Sequence, residues 1–151
     1  MMGGGDEKRV NKNSAECSNS RRALRMREYI SSFRQLRVYQ NAFTAAMEIF
    51  QLSKAFPKEE KYSLTDQVRR SSRSICANIA ESWAKRKYQA AFVAKLSDAH
   101  AEANETQSWV DFCQKCAYLD NQRTSELDVK YNMIISQLVT MIHKSSDWLN
   151  P

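Results

Sequence analysis

Glycine and proline, the two residues that most strongly interrupt helices, are almost absent from this chain of 151 residues. The three glycines lie at positions 3–5, and the two prolines are Pro57 and Pro151. Residues 6–56 and 58–150 therefore contain neither. Because the many turns of a sheet-rich fold depend on these two residues, their absence argues against such a fold and favours long helices.

Apolar residues recur at helical spacing in four segments, which predicts four amphipathic helices. Long helices joined by short connections are typical of an antiparallel, up-down-up-down four-helix bundle, and we expect this all-α fold. The predicted helices span about residues 33–56, 63–85, 88–118 and 126–148.

Local signals mark several helix ends. Pro57 disfavours helical geometry at the residue before it and should end the first helix. Ser63 with Asp66, and Ser125 with Asp128, have the spacing of capping boxes. In a capping box two side chains at a helix start satisfy backbone N–H groups. We therefore expect the second and fourth helices to begin at these serines.

The N-terminal segment differs in composition from the rest of the chain. Residues 1–31 are mostly polar, include three successive glycines and contain little that could form a core. We expect them to be a disordered or partly helical, flexible basic tail. Residues 32–151 are long enough for one domain with a full hydrophobic core, the four-helix bundle.

The first predicted helix carries two apolar rows, which together cover roughly 220° of its surface at 100° per residue. An outer helix of a monomeric bundle needs a stripe only a little over 100° wide. The surplus predicts self-association, unless the helix lies centrally in a compact monomer. The first row is Leu36, Phe43, Met47 and Phe50. The second row, which we predict as the oligomer interface, is Val38, Ala42, Ala45, Ile49, Leu52 and Phe56.

Residue spacing argues against the metal sites common in helical bundles. Di-iron bundles need Glu-x-x-His pairs on two helices, and neither His100 nor His143 has a glutamate three residues before it. Cys113 and Cys116 form a single C-x-x-C pair, whereas tetrahedral zinc needs two more ligands. We expect Cys113 to pack in the core and Cys116 to lie at or near the surface. A zinc site shared between subunits is the alternative.

The third predicted helix carries a row of carboxylates, Asp98, Glu102 and Glu105, without an accompanying nucleophile or base. We expect these three to pair with arginines of the second helix. Glycine-rich phosphate loops are excluded because the helical region has no glycine. The sequence thus predicts a protein that is not an enzyme, with no cofactor, metal or small-molecule substrate.

The second predicted helix has one apolar face and one arginine face. Its apolar residues are Leu64, Val68, Ile75, Ile79 and Trp83. Its arginines, Arg69, Arg70 and Arg73, lie roughly 140° away. Residues 66–87 contain six basic and two acidic residues, because Lys85, Arg86 and Lys87 follow.

We predict that these six cations bind RNA, since arginine suits phosphate and Trp83 or Tyr88 could stack on unpaired bases. The alternative is structural ion pairing, for which Asp66 has the right spacing to Arg69 and Arg70.

The whole chain has a net charge of +6, which is compatible with a polyanionic partner. No apolar run approaches the roughly 20 residues that span a bilayer, and the N-terminus has no apolar segment typical of a signal peptide. Four cysteines in a chain this long do not indicate a disulfide framework. We expect a cytoplasmic protein without a membrane partner.

Several segments, in their order and spacing, resemble the four-helix bundle family of 23S rRNA intervening-sequence proteins. The most specific are Gln67-x-Arg69-Arg70 and Asn78-Ile79-Ala80-Glu81, and the resemblance covers about residues 33–149. This chain departs from the family at Ser82, where glycine is usual, and at Tyr39, where tryptophan is frequent. The matching segments are Phe33–Ala42, Phe56–Glu60, Ser63–Ser72 and Ser74–Glu81.

The resemblance implies a bacterial, ring-like homopentamer with a role associated with RNA and no catalytic residues. The family also resembles the accessory variability determinant of diversity-generating retroelements, which implies a reverse transcriptase as a partner. Together, sequence and resemblance predict a non-enzymatic, oligomeric accessory protein that binds RNA through basic surfaces. The alternative is a protein–protein scaffold whose arginines form structural ion pairs.

Overall fold

The structure, a computed structural model, describes residues 30–150. The predicted tail of residues 1–31 therefore lies outside the described residues, apart from its last two. Between residues 30 and 150 the chain forms four α-helices and no strand, which confirms the all-α prediction. The helices are α1 (Arg37–Leu52), α2 (Leu64–Ala84), α3 (Gln89–Lys115) and α4 (Asn121–His143). Short 3-10 turns occupy Phe33–Gln35, Ser53–Ala55, Lys58–Glu60 and Ser145–Trp148.

The helices pack as a bundle, because each contacts the next in sequence and α1 also contacts α4. Apolar residues of α2, α3 and α4 fill the interior of the bundle, and Ile75, Phe92, Leu96, Tyr131 and Leu138 are fully buried. None of the helices found between residues 30 and 150 is long and apolar enough to cross a membrane.

Small residues are buried on both α2 and α3. They are Ser71 and Ser72 on the first helix and Ala99 and Ala103 on the second. The hydroxyl of Thr106 donates a hydrogen bond to the Oγ of Ser71 across the contact, at 2.9 Å. Side chains of this size let two helix backbones approach closely.

The second helix begins after Ser63 as predicted, and the fourth begins before Ser125, but neither predicted capping box forms, because acidic residues that precede the helices cap them. Glu60 accepts hydrogen bonds from the Ser63 hydroxyl and from the Leu64 N–H at the start of α2. Asp120 accepts one from the Arg123 N–H at 2.7 Å, so that α4 begins at residue 121. The Tyr118 hydroxyl, which is distant in the sequence, donates a hydrogen bond to the Glu60 carboxylate at 3.1 Å and helps to orient it.

The C-terminal ends of three helices also differ from the prediction. Helix α1 ends at residue 52, before the predicted end at residue 56, and continues as the 3-10 turn Ser53–Ala55. Helix α4 ends at residue 143 and continues as a 3-10 turn. Helix α3 ends at residue 115, and Ala117 then adopts the left-handed conformation, with φ 60°. The N–H groups of Tyr118 and Leu119 donate back to the Cys113 carbonyl. Glycine normally fills such a position, but this part of the sequence has none, so alanine occupies it with strain.

Candidate nucleic-acid interface

Three cations surround the ring of Phe50, the residue that lies near the end of α1. The distances to the ring centroid are 4.8 Å for Lys54 Nζ, 5.0 Å for Arg69 Cζ and 5.6 Å for Arg73 Cζ. Cations within about 6 Å of an aromatic ring are attracted by its quadrupole. We refer to Phe50, Lys54, Arg69 and Arg73 as the Phe50 cluster.

Arg69 is held in this cluster by a buried hydroxyl. Its Nε donates a hydrogen bond to the Oγ of Ser53 at 2.7 Å. The Ser53 hydroxyl in turn donates to the Phe50 carbonyl at 3.0 Å, and Ser53 is only 3% exposed. The hydroxyl thus both donates and accepts, which fixes the inner edge of the guanidinium.

The cluster brings together two of the predicted arginines and one cation that the sequence did not indicate. Arg69 and Arg73 lie one turn apart on α2. Lys54 comes from the turn after α1, so that its proximity depends on how α1 packs against α2. Phe50 and Lys54 are four residues apart, the only sequence signal that could have linked this lysine to the ring.

Arg70 lies outside the cluster and has its own acidic neighbour. Its Nη1 lies 3.8 Å from the Oδ2 of Asp66, and both side chains are well exposed, at 74% and 46%. An exposed pair at this distance adds little to the free energy of unfolding. The predicted spacing of Asp66 to Arg70 thus produces a contact, but a weak one.

The expected ion pairs between α3 carboxylates and α2 arginines do not form. Asp98 contacts Lys95 at 3.4 Å instead, and Glu105 accepts a hydrogen bond from the indole of Trp109 at 3.0 Å. An open groove of about 490 Å³ lies between α2 and α3. Arg70 and Arg73 line one wall, and Glu102 and Glu105 line the other. The lining residues are Gln67, Arg70, Ser71, Arg73, Ser74, Glu102 and Glu105.

The turn between α2 and α3 presents a second basic surface, which we call the turn patch (Lys85, Arg86, Lys87 and Tyr88). Lys85 and Lys87 are exposed, and Tyr88 is 65% exposed. The ammonium of Lys87 lies 5.8 Å from the Tyr88 ring centroid. Because Tyr88 is well exposed, it is the aromatic residue available here for stacking on a base.

Arg86 is packed more closely than its two lysine neighbours. Its Cζ lies 3.3 Å from the Trp83 ring centroid, and its Nε donates to the Trp83 carbonyl at 2.9 Å. Burial lowers the pKa of Arg86 from its ordinary value. The guanidinium therefore covers one face of Trp83, which removes that face from base stacking.

The two basic surfaces are separate. Arg73 and Lys85 are twelve residues apart along α2, a rise of about 18 Å along the axis. Each is therefore a distinct place at which a polyanion could be held, and the six predicted cations do not form one continuous patch.

The Asn-Ile-Ala-Glu segment has a structural task, because it holds a lysine of α3. Lys95 Nζ lies 2.9 Å from the Oε2 of Glu81 and 3.4 Å from the Oδ1 of Asn78. Hydrogen bonding to Lys95 lowers the pKa of Glu81, and bonding to Glu81 raises the pKa of Lys95. These contacts join α2 to α3.

The residues predicted as the oligomer interface lie in or beside the core of their own chain. Val38, Ala42, Ala45 and Ile49 are at most 3% exposed. Leu52 and Phe56, the remaining two, are half-buried. The first four side chains therefore have almost no surface to offer a second copy.

The exposed apolar surface of α1 belongs to its other row. Phe43 is 51% and Met47 43% exposed. Tyr39 stacks on Phe43 with ring centroids 6.2 Å apart. Both rows are apolar, so that periodicity alone did not indicate which one faces the core.

The cysteines of α2 and α3 are poorly suited to chemistry. Burial raises the pKa of the Cys113 thiol to about 12 and that of Cys76 to about 11. Both are therefore protonated near neutral pH, whereas a metal ligand or nucleophile is a thiolate. Cys116 is exposed. Among residues 30–150, no group of three or more His, Cys, Asp or Glu side chains is arranged to hold a metal ion.

Comparison with known proteins places this geometry among related chains. A family model described as 23S rRNA-intervening sequence protein matches residues 34–140. The chain is also similar to a crystal structure, at 1.70 Å resolution, of a protein of unknown function from the S23 ribosomal protein family of Bacteroides thetaiotaomicron VPI-5482. The two share 29% sequence identity with a TM-score of 0.64, over 70% of this chain and 95% of the other. No curated protein matches the chain significantly.

Proposed function

The chain belongs to the family of 23S rRNA-intervening sequence proteins, and from this premise we propose that it is an RNA-associated protein that binds RNA through its basic surfaces. The name of the family refers to ribosomal RNA, and the similar Bacteroides protein is described as part of a ribosomal protein family. Neither description names a catalytic activity, and the proposal includes none.

One observation carries the proposal. Within residues 30–150, no carboxylate oxygen lies within 4.0 Å of a charged nitrogen of the Phe50 cluster or of the turn patch. Cations that serve structural ion pairs would have such partners. Surface cations without them attract phosphate over distances set by the ionic strength.

The turn patch combines exposed charge with an exposed ring. Lys85 and Lys87 supply point charges for phosphates, and Tyr88 supplies a face on which a base can stack. Recognition of single-stranded RNA commonly uses such combinations. Arg86 contributes by holding the patch in shape against Trp83.

Self-association is part of the proposal, because it would repeat both basic surfaces around an assembly and multiply weak contacts. The resemblance to the family implies a homopentamer. On this chain, the surface best suited to a second copy is the exposed α1 row around Phe43 and Met47. Burial of exposed apolar side chains is the main favourable term in most protein association.

The narrower role as an accessory subunit of a retroelement reverse transcriptase is not included, since no contact or match supports it. A protein–protein scaffold with no nucleic-acid role is the competing function. This function is supported by the contact between Arg70 and Asp66, because a cation predicted to bind RNA there contacts an acidic residue of its own chain.

Charge reversal tests the proposal. Lys87→Glu should lower the affinity for single-stranded RNA, measured by fluorescence anisotropy, several-fold at low salt. The matched control is Lys115→Glu, an equal change of charge at the other end of α3, about 40 Å away along the helix axis. A scaffold would show no retention of RNA by the unaltered protein. Equal losses for both variants would show that net charge, not the turn patch, governs binding.

A further inference from the structure

We propose that the Phe50 cluster is a binding site for one phosphate group of the RNA backbone, an inference that rests on the proposed function. The cluster collects three positive side chains from two different elements at one ring. Two of them come from α2, and the third comes from the turn after α1. Such a site exists only in the folded chain, since the elements are far apart in the sequence.

The three charges lie close to one another. The two largest distances to the ring centroid are 5.0 Å for Arg69 and 5.6 Å for Arg73. Because all three charges are measured from the same centroid, no two of them are more than about 11 Å apart. At such separations like charges repel, even when water screens them. An anion placed between them would remove this repulsion and gain attraction to every member.

No acidic side chain of the described chain forms an ion pair with these three cations. None lies within 4.0 Å of Lys54, Arg69 or Arg73, although Glu102 and Glu105 share the groove beside Arg73. Arg70, the neighbouring cation in the sequence of α2, has an acidic neighbour in Asp66. The cluster therefore differs from its surroundings in having charge but no internal counter-charge.

The geometry of the cluster suits a tetrahedral oxyanion. The Arg69 guanidinium is fixed through its Nε by Ser53, which leaves its terminal nitrogens to donate. A planar fork of this kind can give two parallel hydrogen bonds to phosphate. Lys54 and Arg73 are exposed, and their long side chains can approach the same anion from other sides.

The choice of a backbone phosphate, over a free phosphate ion, follows from the position of the site. Lys54 and Arg73 are exposed, and Arg73 also lines the groove between α2 and α3, so that a strand can reach the cluster from outside. Contacts to phosphate position a nucleic acid without reading its sequence. The site would therefore hold RNA of any sequence, while the turn patch contacts another nucleotide.

The test compares substitutions that remove equal charge inside and outside the cluster. Lys54→Gln and Arg73→Gln should each weaken the binding of single-stranded RNA about tenfold at low salt, because each removes charge-assisted hydrogen bonds. Lys115→Gln, an equal loss of charge at an exposed position outside both basic surfaces, should change the affinity less than about twofold. The salt dependence should also fall, by about 0.7 in slope for the lost phosphate contact.

Arg69→Lys keeps the charge but removes the planar guanidinium fork, and it should weaken RNA binding. Lys54→Arg also keeps the charge and should not weaken RNA binding. All four positions are on the surface or only half-buried, and circular dichroism verifies that each variant keeps its helices. Added inorganic phosphate at equal ionic strength distinguishes the sources: it should compete poorly with RNA at this site. Strong competition would indicate a site for the free ion and overturn the proposal.

The outcomes separate failure of the site from failure of the proposed function. If the unaltered protein binds RNA and the cluster variants match Lys115→Gln, the site is refuted and the RNA role stands. If the unaltered protein retains no RNA, both fail. The double variant Lys54→Gln with Arg73→Gln could instead reduce the size of the assembly and leave the RNA affinity unchanged. That result would show that the cluster contacts an acidic group of another copy, and it would overturn the proposal.

Discussion

Lys95 of α3 contacts Glu81 of α2, with 2.9 Å between Nζ and Oε2. This pair gives a physical reason for the last residue of the Asn-Ile-Ala-Glu segment, by which the family resemblance was identified. Asn78 contributes a further contact to the same ammonium, at 3.4 Å. The segment therefore stabilises the packing of two helices, and its two polar members are not expected to bind RNA.

Glu81→Gln should lower the thermal stability slightly near neutral pH. The pKa of Glu81 is lowered from its ordinary value of 4.5 on folding, chiefly by the hydrogen bond from Lys95. A carboxyl whose pKa is lower in the folded state stabilises it at pH above the unfolded pKa, and this stabilisation is lost as the pH falls through the folded pKa. The difference in melting temperature between the two proteins should therefore shrink as the pH falls below 4.5 and disappear once the pH lies below the lowered pKa of the folded state.

The control is Asp111→Asn, a carboxylate on α3 without a cation within 4.0 Å among the described residues. It should show no such loss near neutral pH. A melting difference for Glu81→Gln that persists unchanged to strongly acidic pH would contradict the role of this pair.

Ala117→Gly should stabilise the protein by about 1 kcal/mol, since it relieves the left-handed conformation that alanine tolerates poorly. Urea denaturation at equilibrium measures the change. Ala101→Gly, at an exposed position inside α3, is the matched control and should cost about 1 kcal/mol. Equal destabilisation by both changes would show that Ala117 is not strained.

Asp120→Ala should destabilise the protein by about 1 kcal/mol, because the N–H of Arg123 loses its acceptor. Ser125→Ala should change the free energy of unfolding by less than about 0.5 kcal/mol, since that serine lies on the exposed surface inside α4. The two variants are compared by the same denaturation measurement. A larger effect of Ser125→Ala than of Asp120→Ala would indicate that α4 starts near residue 126, as the sequence predicted.

Phe43→Asp together with Met47→Asp should convert an oligomer to monomers without loss of helicity, as measured by sedimentation velocity. Both side chains are exposed in a single chain, so that only association buries them. The control is Val129→Asp with Met133→Asp, which changes a similar exposed apolar pair on α4. Monomeric behaviour of the unaltered protein at high micromolar concentration would refute self-association.

The sequence predicted the helices well because apolar periodicity is a property of each segment by itself. Helix caps were predicted less well. Helix α2 begins after Ser63 as expected, but Glu60 caps it through a carboxylate that Tyr118 contacts from elsewhere in the chain. The two rows of α1 are equally apolar, and only the packing of α2 and α4 decides that Ala42 is inside and Phe43 is outside.

The candidate site was predicted in part for the same reason. The arginine face of α2 follows from spacing along one helix, and the structure places Arg69 and Arg73 together. Lys54 joins them only because α1 packs beside α2, a contact that no local pattern encodes. The packing of Arg86 on Trp83 likewise depends on a turn whose conformation the sequence did not indicate.

The salt dependence of RNA binding tests the central claim most directly. The full chain is titrated against an unstructured RNA of about 20 nucleotides, by fluorescence anisotropy at several salt concentrations. If basic surfaces bind the backbone, the logarithm of the association constant should fall linearly with the logarithm of salt concentration, by about 0.7 for each phosphate contacted. An absence of binding at about 50 mM salt, or an affinity that does not change with salt, would contradict the account.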